Sequence, residues 1–403
     1  MDFGDTPAEA AFRAEARAWL EANARPLVES SAGMDEIAKA KAWQAKKADA
    51  GWACITWPEE LGGRGASMIE NVIWNQEEAQ YDLGQGTYSI GFGMCAPTVL
   101  AHGTPEQQQR WIPKLLRGEE IWCQLFSEPS AGSDLAGLRT RAERDGDEWI
   151  VNGQKTWTSG AQHSDWGLLQ ARTDPNVSKH AGLTCFIIDM RRPGVEVRPI
   201  KQISGASGFN EVFFTNARVP DADRISEVGN GWAVAITTLM NERASIGGRP
   251  AGGGFDDLVE LARSTRIGDR RALDDPSVRH RLADFYVRSK GMEYAGYRAL
   301  TALSRGQTPG PENSIGKLVG AQMRQEQASL ALDILGEAGM VSDPEAGEGD
   351  WPAAYIGAAG GRLAGGSDEI MRNIIAERVL RLPPEPRLDK EIAFRDIPTG
   401  YKS

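Results

Sequence analysis

Residues 123–134 pass from an apolar run, Cys123 through Phe126, to a segment of small and polar residues: Ser127, Glu128, Pro129, Ser130, Ala131, Gly132, Ser133 and Asp134. The apolar run can form a strand, and Pro129 ends it because proline has no backbone N–H to give a ladder. Ser130, Ala131, Gly132 and Ser133 have little bulk, so backbone N–H groups can approach a flat, oxygen-rich ligand, and the Ser127 and Ser133 hydroxyls add hydrogen bonds. A cofactor loop and an ordinary turn both fit this composition. Trp157, Thr158 and Ser159 follow 23 residues after Asp134 and offer a large flat ring beside two hydroxyls. Farther on, Trp232, Ala235, Leu239, Glu242 and Ile246 fall on one helical face. A glutamate in an apolar stripe is out of place unless it is paired or functional, and burial raises a carboxyl pKa toward a value useful in a base. A solvated or ion-paired Glu242 is the alternative.

Other chemistries are poorly supplied. Cys54, Cys95, Cys123 and Cys185 are far apart with no CxxC pair, and His102, His163, His180 and His280 are equally scattered. Reduced thiols are expected, with no metal and no nucleophilic triad. A net charge of −11 and a pI near 5.1 speak against a nucleic-acid or anionic-membrane partner, since both need a basic face. No window approaches the roughly 20 apolar residues of a membrane span, and the first 20 residues lack a signal-peptide pattern, so a cytoplasmic location is expected.

At 403 residues the chain exceeds one ordinary core. Thr6-Pro7-Ala8-Glu9 and Thr104-Pro105-Glu106-Gln107 are capping boxes that open helices, and helical spacing recurs near 35–50, 68–82, 86–102 and 105–117. From Ile121 the texture turns to short β-rich runs such as 148–151, 156–158, 168–170, 184–188 and 212–214. Asp145-Gly146, Asn152-Gly153 and Pro193-Gly194 are expected to be turns between such runs. Helical patterning resumes at Gly231 and continues to about 380, with seams through Val278, Leu282, Phe285, Ser289, Met292 and Gly296 and through Ile315, Leu318, Met323, Leu330 and Ile334. An α+β class follows: an N-terminal all-helical domain (1–120), a middle antiparallel β-barrel or sandwich (121–228), a C-terminal helical bundle (229–381) and an extended tail (382–403) set by Pro383, Pro384 and Pro386.

This order of domains, with Phe126-Ser127-Glu128-Pro129-Ser130-Ala131-Gly132-Ser133-Asp134 at the first junction and Asn152-Gly153-Gln154-Lys155-Thr156-Trp157-Thr158-Ser159 in the β domain, resembles the acyl-CoA dehydrogenase family. The match continues through Phe214-Thr215-Asn216-Ala217-Arg218-Val219-Pro220 and Gly229-Asn230-Gly231-Trp232, and closes on residues 365–378. The resemblance implies FAD, bound by Phe126, Ser127, Gly132, Ser133, Trp157, Thr158 and Ser159, with Trp157 against the ring and Ser159 near its reactive nitrogen. It carries Asp333, Gly336, Gly366, Ser367 and Glu369 into the cofactor set, and Ser133, Arg243 and Gly365 into the substrate set. The implied reaction removes the α proton of an acyl-CoA thioester with a carboxylate and passes the β hydrogen to the flavin, giving the trans-2-enoyl-CoA. It also implies an electron-transfer flavoprotein as acceptor and a homodimer or homotetramer, a heterotetramer remaining open.

The sequence departs from the family in three places. Many members carry the base just before the closing motif, where this chain has Gly365; the second family position, on the helix that opens the C-terminal domain, is Glu242 here, and Asp368 and Glu369 are its rivals. Asp333 and Glu337 stand where the family has a glutamine and a glycine-rich segment near FAD phosphates, and the usual Arg-x-x-Phe-Gly motif is reduced to Thr265-Arg266-Ile267-Gly268. A non-catalytic partner subunit and a flavin monooxygenase or oxidase are therefore rival expectations. The segment 239–243, with Gly365-Gly366, is similar to steroid-degrading members.

Overall fold

The computed structural model describes residues 5–31, 33–246, 254–304, 310–342, 350–387 and 389–398. The chain forms two compact units: Met1–Lys201 with Ser207–Glu242 and Arg387–Ser403, and Gln202–Ala206 with Arg243–Pro386.

The first unit begins with helices α1 (Pro7–Ser30), α2 (Glu36–Asp49), α3 (Met68–Glu78), α4 (Ala96–His102) and α5 (Pro105–Leu116). Thr6, Ser67 and Thr104 start three of them as reciprocal capping boxes with Glu9, Glu70 and Gln107. Their core is aromatic: Trp43, Trp52 and Trp74 are buried, and Trp52 stacks on Trp74 at 4.5 Å. The expected helix over 86–102 is broken into a 3-10 turn at Gln85–Tyr88, a π turn at Gly91–Cys95 and α4. Pro97 has no N–H for the carbonyl a turn earlier, and the widened π turn absorbs that mismatch.

The β region is one sheet of eight strands: β1 (Trp122–Leu125), β2 (Arg141–Asp145), β3 (Glu148–Ser159), β4 (Trp166–Arg172), β5 (Leu183–Asp189), β6 (Val195–Ile200), β7 (Phe209–Pro220) and β8 (Arg224–Ile225). Their order is β6-β7-β3-β2-β4-β5-β8, with β1 added against β4. Pairing is mostly antiparallel, as expected, with two parallel joins, β1 to β4 and β2 to β4. Asn152-Gly153 is not the expected turn. It lies inside β3 at a register shift between Val151 and Gly153, and a Cβ on Gly153 would sit 2.4 Å from Thr140 Oγ1. Glycine is there for close approach, so the two expected runs are one bulged strand. Apolar residues fill both faces: Leu168, Cys185 and Ile187 on one, Leu169, Phe186 and Ile188 on the other.

Helix α6 (Gly231–Ile246) leaves this unit at Glu242. The second unit contains α7 (Phe255–Ser264), the hairpin β9 (Arg266–Ile267) and β10 (Arg270–Arg271), then α8 (Pro276–Ser304), α9 (Asn313–Leu335), α10 (Trp351–Gly361) and α11 (Asp368–Ile374). The expected seams hold at their packed ends. Val278, Leu282 and Phe285 of α8 and Met323, Leu330 and Ile334 of α9 are buried with Trp351, whereas Gly296 and Ile315 are exposed. After α11 and a π turn at Ile375–Val379 the chain loses regular structure and returns to the first unit at Arg387. No described helix is long and apolar enough to cross a membrane.

Candidate active site

The loop after β1 is fixed by polar groups that are themselves buried. Glu128 N donates to Ala131 O at 2.9 Å and Ala131 N returns to Glu128 O at 3.0 Å, closing a tight turn around Pro129 and Ser130. The Glu128 carboxylate, 5% exposed, accepts from the backbone N–H groups of Arg139 (2.6 Å) and Thr140 (2.8 Å) and pairs with Lys155 Nζ at 2.8 Å. Lys155 is fully buried and also donates to Phe126 O at 3.0 Å. Burial alone would raise the Glu128 carboxyl pKa, but the facing ammonium and the backbone donors bring it below the ordinary carboxylate value. Thr156 N donates to Ser127 O at 2.9 Å. The 126–134 and 155–159 motifs are thus bound into one wall.

That wall presents the groups the resemblance singled out. Phe126 is buried and Ser127 half-buried, whereas Gly132 and Ser133 are exposed, and a Cβ on Gly132 would meet nothing within 4 Å. Trp157 sits at a second β3 register shift with φ +58, a left-handed conformation that costs a non-glycine residue roughly 1–2 kcal/mol. Its indole is 60% exposed and touches Phe209 edge-on at 5.9 Å. Thr158 is buried with its hydroxyl unpartnered, and Ser159 is half-buried. An exposed, strained indole beside an orphan hydroxyl and a loop without bulk fits a flat polar cofactor such as FAD.

Glu242 is half-buried on α6, one turn beyond Thr238. Thr238 is fully buried and shares a 2.9 Å hydrogen bond with Thr98 of α4, and His102 Nε2 meets Thr237 Oγ1 at 2.8 Å. These bonds hold α6 against α4. Arg243 continues α6, but its side chain lies outside the described residues.

The second unit carries the rest of the expected set. Gly365 and Gly366 are both left-handed, with φ +65 and +96, and Ser367 caps α11 by accepting from Ile370 N. Asp368 is buried and receives Arg362 Nε at 2.7 Å, with Lys317 Nζ at 3.8 Å. Desolvation opposes its charge, but Arg362, Gln322 and Lys317 more than offset this and hold the carboxyl below its ordinary value. Glu369 is exposed in the first turn of α11, where a backbone N–H and then the Ser367 hydroxyl lower its pKa. Asp333 is ion-paired to Arg281 at 2.9 Å at an exposed position, and Gly336 ends α9 with φ +58. Among the described residues no group of three or more His, Cys, Asp or Glu could hold a metal. Burial pushes the Cys123 thiol up to about 12, so it is no nucleophile at neutral pH.

Glu128 and Lys155 stand inside two of the sequence motifs, and nothing in the sequence marks them as a pair. They are 27 residues apart, and the burial that makes the lysine need a partner is set by the fold, so no local pattern marks the pair. Arg172, Lys179 and Phe394 are likewise unmarked in the sequence.

The sequence matches the N-terminal domain of the acyl-CoA dehydrogenases over residues 6–119, the middle domain over 123–217 and the C-terminal domain over 229–380. It is 39% identical over 393 residues to acyl-CoA dehydrogenase IpdE1 of Mycobacterium tuberculosis, covering 93% of this chain and 98% of that one. Among solved structures, the Tcur3481-Tcur3483 steroid ACAD superposes with a TM-score of 0.78 at 28% identity, over 96% of this chain and all of that one. The ChsE4-ChsE5 complex from Mycobacterium tuberculosis follows at 0.77 and 27%, over 95% of this chain and 100% of that one. With all three domains matched in order, the chain belongs to the acyl-CoA dehydrogenase family.

Proposed function

We propose that this FAD enzyme dehydrogenates an acyl-CoA thioester at the α and β carbons, with Glu242 as the base that takes the α proton. The observation that carries the reading is where the candidates stand: Asp368 is buried with its carboxyl held below the ordinary value, Glu369 is exposed at a helix start, and Gly365 has no side chain. Glu242 alone of these candidates stands half-buried in an apolar stripe, the setting that suits a carboxylate base near neutral pH. FAD, when bound, accepts the β hydrogen with its electron pair. Phe126, Ser127, Gly132, Ser133, Thr158 and Ser159 would hold it, and Trp157 would cover its ring and exclude water. Arg243 and Ser133 are assigned to the thioester and its CoA, and an electron-transfer flavoprotein is the proposed acceptor.

The likeness to a steroid ACAD favours a bulky, ring-bearing or branched acyl group over a straight medium chain. A heteromeric assembly is the second reading for the oligomer. It is favoured by Asp333, whose carboxylate is engaged by Arg281, and by two structural neighbours named as two-component proteins. A second chain would then supply contacts to the adenosine end of FAD. Anaerobic mixing of the purified yellow protein with a panel of acyl-CoA thioesters tests the function: bleaching by ring-bearing or branched thioesters is expected. Bleaching by none of them, or substrate-coupled oxygen consumption matching the bleaching rate, would replace the dehydrogenase by a partner subunit or an oxidase.

A further inference from the structure

The C-terminal segment 389–398 runs along the connection between β4 and β5. Ala393 bridges Ser178, Phe394 N donates to Val177 O at 2.8 Å, Arg395 N donates to Pro175 O at 3.0 Å, and the Arg395 side chain reaches Asn176 Oδ1 at 2.7 Å. This connection also touches the cofactor loop. Lys179 Nζ donates to both oxygens of Asp134, at 2.8 and 3.0 Å, and to Asp389 Oδ2 at 2.6 Å. One ammonium therefore joins the last residue of the loop to the C-terminal segment. Next in sequence, His180 packs edge-on against Trp232 at 4.7 Å, in the first turn of the helix that carries Glu242.

A second link runs in parallel. Arg172, at the end of β4, is buried and faces carbonyls rather than a carboxylate: Nε donates to Leu138 O at 3.1 Å, Nη2 to Ala136 O at 2.6 Å and Nη1 to Lys179 O at 3.1 Å. Ala136 and Leu138 follow directly on the cofactor loop. Phe394 covers the guanidinium with its ring centroid 3.4 Å away. A buried guanidinium that donates to carbonyls, with the charges of Glu128 and Asp134 acting on it from farther off, depends on such a cover, because water admitted to its face would compete for each bond. A plain docking of the chain end would need neither a shared ammonium nor a ring over a buried cation.

We propose that the segment 389–398 is a strap whose Asp389 and Phe394 position the cofactor loop, through Lys179 on Asp134 and Arg172 on the turn 136–138 that follows it, and so set how tightly FAD is held. The proposal rests on the reading of that loop as a cofactor wall. Asp389 and Phe394 are positioning residues that act on the loop through these two cations, and Phe394 also lies against Arg139, whose guanidinium is 5.3 Å from its ring.

The test uses full-length Asp389→Asn, Phe394→Ala and Phe394→Tyr proteins, stripped of flavin and titrated with FAD. Phe394→Ala is expected to weaken FAD binding about ten-fold, the scale of one charge-assisted contact, and Asp389→Asn to weaken it several-fold. Phe394→Tyr keeps a ring over Arg172 and should bind as the wild type does. The urea midpoint of the FAD-free Asp389→Asn protein should stay at the wild-type value. Variants that bind FAD as tightly as the wild type overturn the strap while leaving the cofactor wall intact. Loss of affinity that tracks the urea midpoint and is not rescued by Phe394→Tyr also overturns it. A wild-type protein that takes up no FAD overturns the cofactor reading and the strap together.

Discussion

Each of the two units contributes residues proposed to hold the cofactor, and the two sets are held by different means. In the first unit, 126–134 and 155–159 meet around a Lys155–Glu128 pair whose side chains are 0% and 5% exposed, with backbone donors completing the carboxylate. In the second, 365–369 hangs on Asp368, which is 3% exposed but lies beside two cations, Arg362 at 2.7 Å, itself 40% exposed, and Lys317 at 3.8 Å. A pair with one buried cation is costly to break and fixes one geometry, whereas a carboxylate with two cations beside it keeps one when the other is lost. The departures from the family pattern, Gly365, Asp333 and Glu337, all fall in the second unit.

This contrast can be broken by mutation. Lys155→Met strands a buried carboxylate and should cost about 3–5 kcal/mol, with most of it recovered in the Lys155→Met, Glu128→Gln double variant. Arg362→Met leaves Asp368 with Lys317 and should cost only about 1–2 kcal/mol. Urea unfolding measures both, and equal losses would end the distinction.

Acid sharpens it. Lys155 and the backbone donors lower the Glu128 carboxyl below its ordinary value. Its contribution is therefore complete above the carboxylate pKa of the unfolded chain and is lost as pH falls through the lowered value in the folded protein. Stability measured against pH should fall across that acid window, and Glu128→Gln should flatten this limb. A variant with the wild-type acid slope would show that the pair does not govern it.

A smaller effect is expected at Trp157. Because its φ is +58, Trp157→Gly should be about 1 kcal/mol more stable than Trp157→Ala, while both hold FAD less tightly than the wild type. An alanine variant as stable as the glycine variant would mean that the backbone there is not strained.

How much was legible in the sequence follows the range of the interactions. Helices α1 and α5 could be read because Thr6 with Glu9 and Thr104 with Gln107 act across three residues. The loop could be read because its small residues are contiguous. Strand β2 could not: in Arg141–Asp145 only Ala142 is buried, so no apolar alternation marks it. Asn152-Gly153 misled because the same dipeptide serves a turn or a bulge, and only Thr140, twelve or more residues away in sequence, decides between them. The Glu128–Lys155 pair and the Arg172–Phe394 stack join residues 27 and 222 positions apart, and no local pattern records such contacts. The site residues came from a resemblance spanning the whole chain, because their isolated types, a serine or a tryptophan, carry no specific signal.

The most direct test of the account is the rate of anaerobic flavin bleaching by a turned-over acyl-CoA, measured by stopped flow in Glu242→Gln protein beside Asp368→Asn. The account predicts that Glu242→Gln retains FAD and bleaches roughly 100- to 10,000-fold more slowly, while Asp368→Asn, altered at a structural ion pair, keeps most of its rate. Bleaching at the wild-type rate in Glu242→Gln would contradict the assignment of the base and with it the proposed chemistry.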